Sequence, residues 1–118
     1  MTDQTETANP AHAKIKQMIT DNDVVLFMKG TRMMPQCGFS ATIAKVLDHV
    51  GVTYKDVNVL EDMSVREGIK SFTNWPTIPQ LYIKGDFVGG CDIVREMYQD
   101  GELQTLLQDK GLIHKASA

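Results

Sequence analysis

The sequence is sparing with cysteine, with positive charge and with long apolar runs, and each shortage removes a class of protein. Only two cysteines, Cys37 and Cys91, occur in 118 residues, too few for the disulfide framework of a small secreted domain. The longest unbroken apolar run is Val24 to Met28, far short of the roughly 20 residues that a membrane-spanning helix needs. Twelve Lys and Arg face fifteen Asp and Glu, a formal net charge of −3. That balance argues against nucleic-acid binding through bulk phosphate neutralisation. The first fourteen residues are polar and include Asp3 and Glu6, and the first arginine is Arg32. The chain therefore reads as lacking a secretory signal or a mitochondrial presequence. The expectation is a cytoplasmic protein whose thiols sit in reducing surroundings, retained for packing or for chemistry.

What is present is one domain's worth of ordinary globular sequence, 42% hydrophobic and 23% charged. Residues 1–9 read as a disordered tail whose last residue, Asn9, can cap a helix opening at Pro10. Residues 10–114 read as the domain, and 115–118 as a second tail. Ile15, Met18 and Ile19 mark the apolar face of the first helix. Val24–Met28 follows as a strand buried on both faces. A loop with Pro35 leads to a second helix carrying Ile43, Val46, Leu47 and Val50, with Gly51 as its stop. Tyr54–Val59 reads as a strand. Ser64 and Glu67 suggest a capping box ahead of a helix with Val65, Ile69 and Phe72 on its apolar face. Gln80–Lys84 and Phe87–Gly89 flank Gly85-Asp86, read as a two-residue hairpin turn. Helical periodicity closes the chain at Ile93 and Met97, then at Leu103, Leu106 and Leu107. The order predicts an α/β domain of thioredoxin-like fold: a mixed four-stranded sheet with helices on both faces.

Chemistry gathers at three places. Cys37-Gly38-Phe39-Ser40 lies between a buried strand and a helix start, where free N–H groups and the helix dipole stabilise an anion. Cys37 is thus a candidate nucleophile or metal ligand. A dithiol oxidoreductase would hold a second cysteine where Ser40 stands, so any redox cycle here must recruit an outside thiol. Trp75-Pro76-Thr77-Ile78-Pro79 is a candidate for a cis peptide that leaves the Ile78 backbone free to pair with an extended peptide. An ordinary turn proline remains the competing reading. In Gly89-Gly90-Cys91-Asp92, Asp92 can cap the next helix or meet an ammonium group. Cys91 reads as a small half-buried residue, since nothing near it completes a metal-ligand set. Lys29 and Arg66 are candidate carboxylate partners, with solvated surface charge as the alternative. Met33-Met34 beside Cys37 could form an exposed apolar patch. His12, His49 and His114 share no metal-binding spacing.

Lys29-Gly30, Cys37-Gly38-Phe39-Ser40, Trp75 to Leu81 and Gly89-Gly90-Cys91-Asp92, in this order, make the chain resemble the monothiol glutaredoxins of the CGFS type. The resemblance runs from about Ile15 to Leu107 and includes the segment Thr31–Pro35 ahead of the active-site motif. It implies a thioredoxin-like fold that binds glutathione and holds a [2Fe-2S] cluster between two subunits of a homodimer. By that resemblance Cys37 ligates iron, while Lys29, Arg66, Ile78, Cys91 and Asp92 line the glutathione site. Lys29 and Arg66 would hold the glycine carboxylate, Ile78 the cysteinyl backbone, and Cys91 with Asp92 the γ-glutamyl end. The implied partners are apoprotein cluster acceptors and BolA-like proteins. Some relatives carry valine or phenylalanine where this chain has Ile78, a change that backbone pairing would survive. The competing function is a glutathione-dependent reductase of protein mixed disulfides, with Cys37 as nucleophile.

Overall fold

The computed structural model describes residues 10–75 and 77–113; both tails, Asn9, Pro76 and His114 lie outside the described residues. The chain order is α1 (Pro10–Asp21), β1 (Val24–Met28), α2 (Gly38–Val50), β2 (Lys55–Asn58), a 3-10 turn (Val59–Glu61), α3 (Met63–Thr73), β3 (Gln80–Ile83), β4 (Asp86–Gly89), α4 (Cys91–Asp100) and α5 (Glu102–Asp109). The strands form one sheet in the order β2-β1-β3-β4. β1 pairs parallel with β2 and antiparallel with β3, and β3 pairs antiparallel with β4. This is the mixed, thioredoxin-like arrangement that the sequence order predicts.

β1 is the axis of the molecule because all five of its side chains are buried. Alternation sends Val24, Leu26 and Met28 to one core, shared with Ile43, Leu47, Val94, Leu103 and Leu107. Val25 and Phe27 enter the other, shared with Ile15, Ile19, Val65, Ile69 and Tyr82. Helices α2, α4 and α5 therefore cover one face, and α1 and α3 the other. Each of these side chains contributes roughly 1.5–3 kcal/mol by leaving water. That is why the central strand, rather than an edge, fixes the register.

Three local expectations are corrected. The cap of α3 is Asp62 and not Ser64: its carboxylate accepts from the N–H groups of Ser64 and Val65, and from the Ser64 hydroxyl at 2.6 Å. Asp62 also meets the Lys14 ammonium at 2.7 Å, so one carboxylate both caps α3 and ties it to α1. The hairpin turn is Lys84-Gly85 rather than Gly85-Asp86, and Asp86 already pairs with Ile83. Both turn residues have positive φ, 53° and 85°, as a two-residue hairpin turn matched to strand twist requires. Lys84 holds this geometry through its N–H to the Asp23 carbonyl and an ion pair with the Asp23 carboxylate at 3.2 Å. The second strand ends at Asn58, because the Asn58 side chain accepts from the Leu60 N–H and turns the chain.

Gly68 on α3 faces Ala11 on α1 so closely that a methyl group placed there would lie 2.7 Å from the Ala11 methyl. Alanine is the better helix former by about 1 kcal/mol, but overpacking costs about 1–3 kcal/mol. Gly68→Ala is therefore expected to lower stability in urea unfolding by about 1 kcal/mol. An increase would mean that α1 can shift freely on α3.

Candidate functional site

Where β1 ends, the chain makes a loop closed on itself. The Gln36 N–H donates to the Lys29 carbonyl at 2.8 Å, and Gly30 bridges to Pro35. Thr31 and Met34 exchange backbone hydrogen bonds at 3.1 and 3.2 Å. Gly30 sits at φ 91°, and a side chain there would strike the Gln36 nitrogen and the Met34 oxygen at 2.5 Å. The loop is anchored outward as well. The Gly30 N–H donates to Asn58 Oδ1 at 2.9 Å and the Arg32 N–H to Asp56 Oδ2 at 2.9 Å. The Arg32 guanidinium lies over the Tyr54 ring, 3.9 Å from its centroid. Burial, with the Asp48 and Asp56 carboxylates, pushes the Tyr54 phenol up to about 12 against the opposing pull of Arg32. Held at both ends, the loop projects Met33 and Met34 into solvent, 84% and 68% exposed.

This closed loop delivers Cys37 to the N-cap of α2, in extended conformation and with no side-chain capping bond of its own. Partial burial pushes the thiol up, but opposing effects win. The N–H groups of Ser40 and Phe39 face the sulfur, and the Lys29 ammonium and Ser40 hydroxyl add to them, so Cys37 titrates below the ordinary thiol range. Ser40 has a second task. It is fully buried and its Oγ accepts the Lys29 N–H at 3.0 Å, binding the start of α2 to the end of β1.

On the far side, the Ile78–Pro79 peptide is cis, which decides between the two readings of that turn. Cys91 opens α4 behind Gly90, which is the helix N-cap; the expectation that Asp92 caps this helix is corrected. Asp92 lies instead in the first turn, exposed, with the Arg95 guanidinium 3.4 Å away, an exposed pair worth little in stability. Gly90 leaves room for Trp75, whose indole nitrogen would sit 3.2 Å from any side chain there. Burial, with the negative charges of Asp92 and Cys37 when ionised, pushes the Cys91 thiol up despite Arg95.

These elements meet at one cavity of about 690 Å³. Lys29, Cys37, Arg66, Ile78, Cys91 and Asp92 all line it, so the six site residues expected from the sequence are brought together. Lys70, one turn beyond Arg66 on α3, lines it too. Its four-residue spacing from Arg66 is the signal that could have identified it. Among the described residues neither Lys29 nor Arg66 has a carboxylate within ion-pair distance, whereas Lys70 has Glu67 at 3.9 Å. The lining thus combines cationic side chains, the Asp92 carboxylate and a thiol held below its ordinary range. An extended zwitterion with a free carboxylate at one end and an ammonium at the other matches that polarity.

Residues 24–88 match the glutaredoxin family. The chain is 57% identical over 96 residues to a probable monothiol glutaredoxin 2 of Rickettsia typhi, covering 81% of this chain and 86% of that protein. It belongs to the monothiol glutaredoxins. Among solved structures, this glutaredoxin is similar to a monomeric truncated mutant of Trypanosoma brucei 1-C-Grx1. That match has a TM-score of 0.82 and 40% identity, over 90% of this chain and 96% of the other. A buckwheat glutaredoxin–glutathione complex is similar at TM-score 0.80 and 28% identity, over 92% and 96% of the two chains.

The opposite shifts of the two thiols give a direct test on the reduced, ligand-free glutaredoxin. Cys37 is expected to be alkylated by iodoacetamide at lower pH than Cys91, read peptide by peptide in a mass spectrometer. Lys29→Gln removes a charge that favours the thiolate, so the Cys37 midpoint should rise. Coincident midpoints, or Cys91 reacting first, would overturn the assignment of the reactive thiol.

Proposed function

We propose that this glutaredoxin is a carrier of [2Fe-2S] clusters that uses glutathione as co-ligand and transfers its cargo to apoproteins. The observation that carries this reading is the one cavity whose lining brings the lowered Cys37 thiol together with Asp92 and with Lys29 and Arg66, which among the described residues have no carboxylate at ion-pair distance. Glutathione has a carboxylate at its glycine end, an ammonium and carboxylate at its γ-glutamyl end, and a thiol between. Lys29 and Arg66 would take the glycine carboxylate, with Lys70 adding positive charge at the same wall. The backbone of Ile78 would pair with the cysteinyl residue. The amides at the start of α4 and the Asp92 carboxylate would receive the γ-glutamyl end. Docked so, the glutathione thiol lies on the Cys37 side of the cavity. That a similar buckwheat glutaredoxin is solved as a glutathione complex supports glutathione as the ligand class.

Ligand arithmetic gives the assembly. A [2Fe-2S] cluster takes four thiolates. Among the described residues no three His, Cys, Asp or Glu side chains converge on a metal-binding position, so one chain offers Cys37 and cannot enclose the cargo. Two chains and two glutathiones complete the set, which makes the carrier a cluster-dependent homodimer. Exchange of one subunit for a BolA-like protein or an acceptor would use the same open face. The chain's tails, its cytoplasmic location and the domain bounds 10–114 belong to the same reading.

The lowered Cys37 thiol also supports a second activity, reduction of protein–glutathione mixed disulfides. The Cys37 thiolate would attack the glutathionyl sulfur, the protein thiolate would leave, and a second glutathione would then release oxidised glutathione and restore Cys37. Ser40 cannot form the internal disulfide of a dithiol cycle, so each turnover consumes one free glutathione, which leaves joined to the glutathionyl group taken from the substrate.

Native mass spectrometry after anaerobic reconstitution with glutathione tests the carrier reading. The expected holo species is a dimer with one cluster and two non-covalent glutathiones, falling to monomer when the cluster is lost. Cys37→Ser should abolish the visible absorption of the cluster, and Cys91→Ser only weaken its retention. A cluster held by a single chain, or held without glutathione, would overturn the mechanism.

A further inference from the structure

Gln80 is fully buried at the start of β3, in a strand whose four residues are all buried. Glutamine is mostly a surface residue, and a buried amide is tolerated only when its donors and acceptor are met. Here they are. Nε2 donates to the carbonyls of Trp75 and Thr77 at 3.0 and 3.1 Å. Oε1 accepts from the Tyr82 hydroxyl at 3.3 Å and lies 3.2 Å from Thr73 Oγ1, whose hydrogen is shared with the Ile69 carbonyl at 2.9 Å. The amide can face only this way, because reversing it would set its oxygen against two carbonyls. Burial pushes the Tyr82 phenol up, which keeps it a donor. The Thr73 hydroxyl extends the link by accepting the Trp75 N–H at 3.1 Å.

Both carbonyls that Gln80 holds belong to the segment between α3 and β3. Thr77, Ile78 and Pro79 lie outside any helix or strand, so no regular ladder fixes them, yet all three line the cavity. We infer that Gln80 is a positioning residue for ligand recognition: without touching the ligand, it clamps the Thr77–Ile78 edge at the height from which that edge can pair with an extended peptide. This rests on the glutathione reading of the cavity, and it assigns to a core side chain the preorganisation of one wall.

The test titrates glutathione into the full chain by calorimetry and follows backbone amide signals by NMR. Gln80→Met keeps the bulk and removes both donors; it is expected to weaken glutathione about tenfold, the usual cost of losing a group that orients contacts. The Thr77 and Ile78 amide signals should shift in the ligand-free protein, while those of Phe39 and Ser40 stay. Thr73→Val, which cuts the neighbouring link from the helix end, should weaken binding about threefold and carries the test if Gln80→Met does not fold. Leu103→Ala, in the opposite core, lowers stability by another route and should bind as the wild type does. Wild-type affinity in Gln80→Met and Thr73→Val, or an equal loss in Leu103→Ala, would overturn the inference. Failure of the wild type to bind glutathione would sink the reading of the cavity instead, and the ligand-free Thr77 and Ile78 signals would then decide the positioning claim alone.

Discussion

Everything at the site depends on β1 being buried on both faces. Its five side chains are shared between two cores, so the strand can neither slide nor tilt without opening both. The point where it emerges, Lys29, is consequently the best-fixed position from which to build a reactive centre. The loop that follows spends its hydrogen bonds returning to that point, through Gln36 to the Lys29 carbonyl and Ser40 to the Lys29 N–H. Cys37 inherits its placement from the strand rather than from the helix it caps. The result is a thiol on a short, closed path, with little conformational entropy left to lose when it takes a ligand.

The electrostatics of the site follow from the same placement. Helix α2 begins at Cys37, so its free N–H groups lie where the thiolate charge develops, and Lys29 stands close enough to add a full charge. Cys91 also lies at a helix start, at the head of α4, yet it moves the opposite way, because burial and the neighbouring negative groups outweigh the pull of Arg95. Two cysteines in one cavity thus take different parts.

Periodicity and turn chemistry made the fold legible in the sequence. The VVLFM run announced a doubly buried strand, and the spacing of Ile43, Val46 and Leu47 a core-facing helix. The errors were of one kind: where two polar groups could do a local job, the sequence did not say which would. Asp62 outcompetes Ser64 as a cap because a carboxylate accepts two N–H groups and a hydroxyl while holding Lys14. Lys84 takes a left-handed position that its side chain disfavours because Asp23 binds both its backbone and its ammonium. Gly90 serves where Asp92 was expected, and a side chain there would press on the Trp75 indole at 3.2 Å. The site was legible as separate motifs, but their convergence on one cavity was not, because that depends on α3 lying beside the Cys37 loop.

Ser40 and Gln80 are the only polar side chains fully buried among the described residues. Burying a hydroxyl or an amide costs about 1–3 kcal/mol unless each group finds a partner, and a protein of this size has few such groups to spare. Neither lines the cavity, but each bonds to backbone atoms of residues that do. Ser40 binds the wall that carries Lys29 and Cys37, and Gln80 binds the wall that carries Thr77 and Ile78. Neither wall is a regular element, so apolar packing alone would leave each free to drift by an ångström while the cores stayed intact. Directional bonds to backbone atoms remove that freedom, which hydrophobic contacts, being non-directional, cannot do. The cost of burying two polar residues is therefore the cost of holding two loops at a fixed separation. That separation decides whether a small zwitterion placed between them brings its thiol to the side of Cys37.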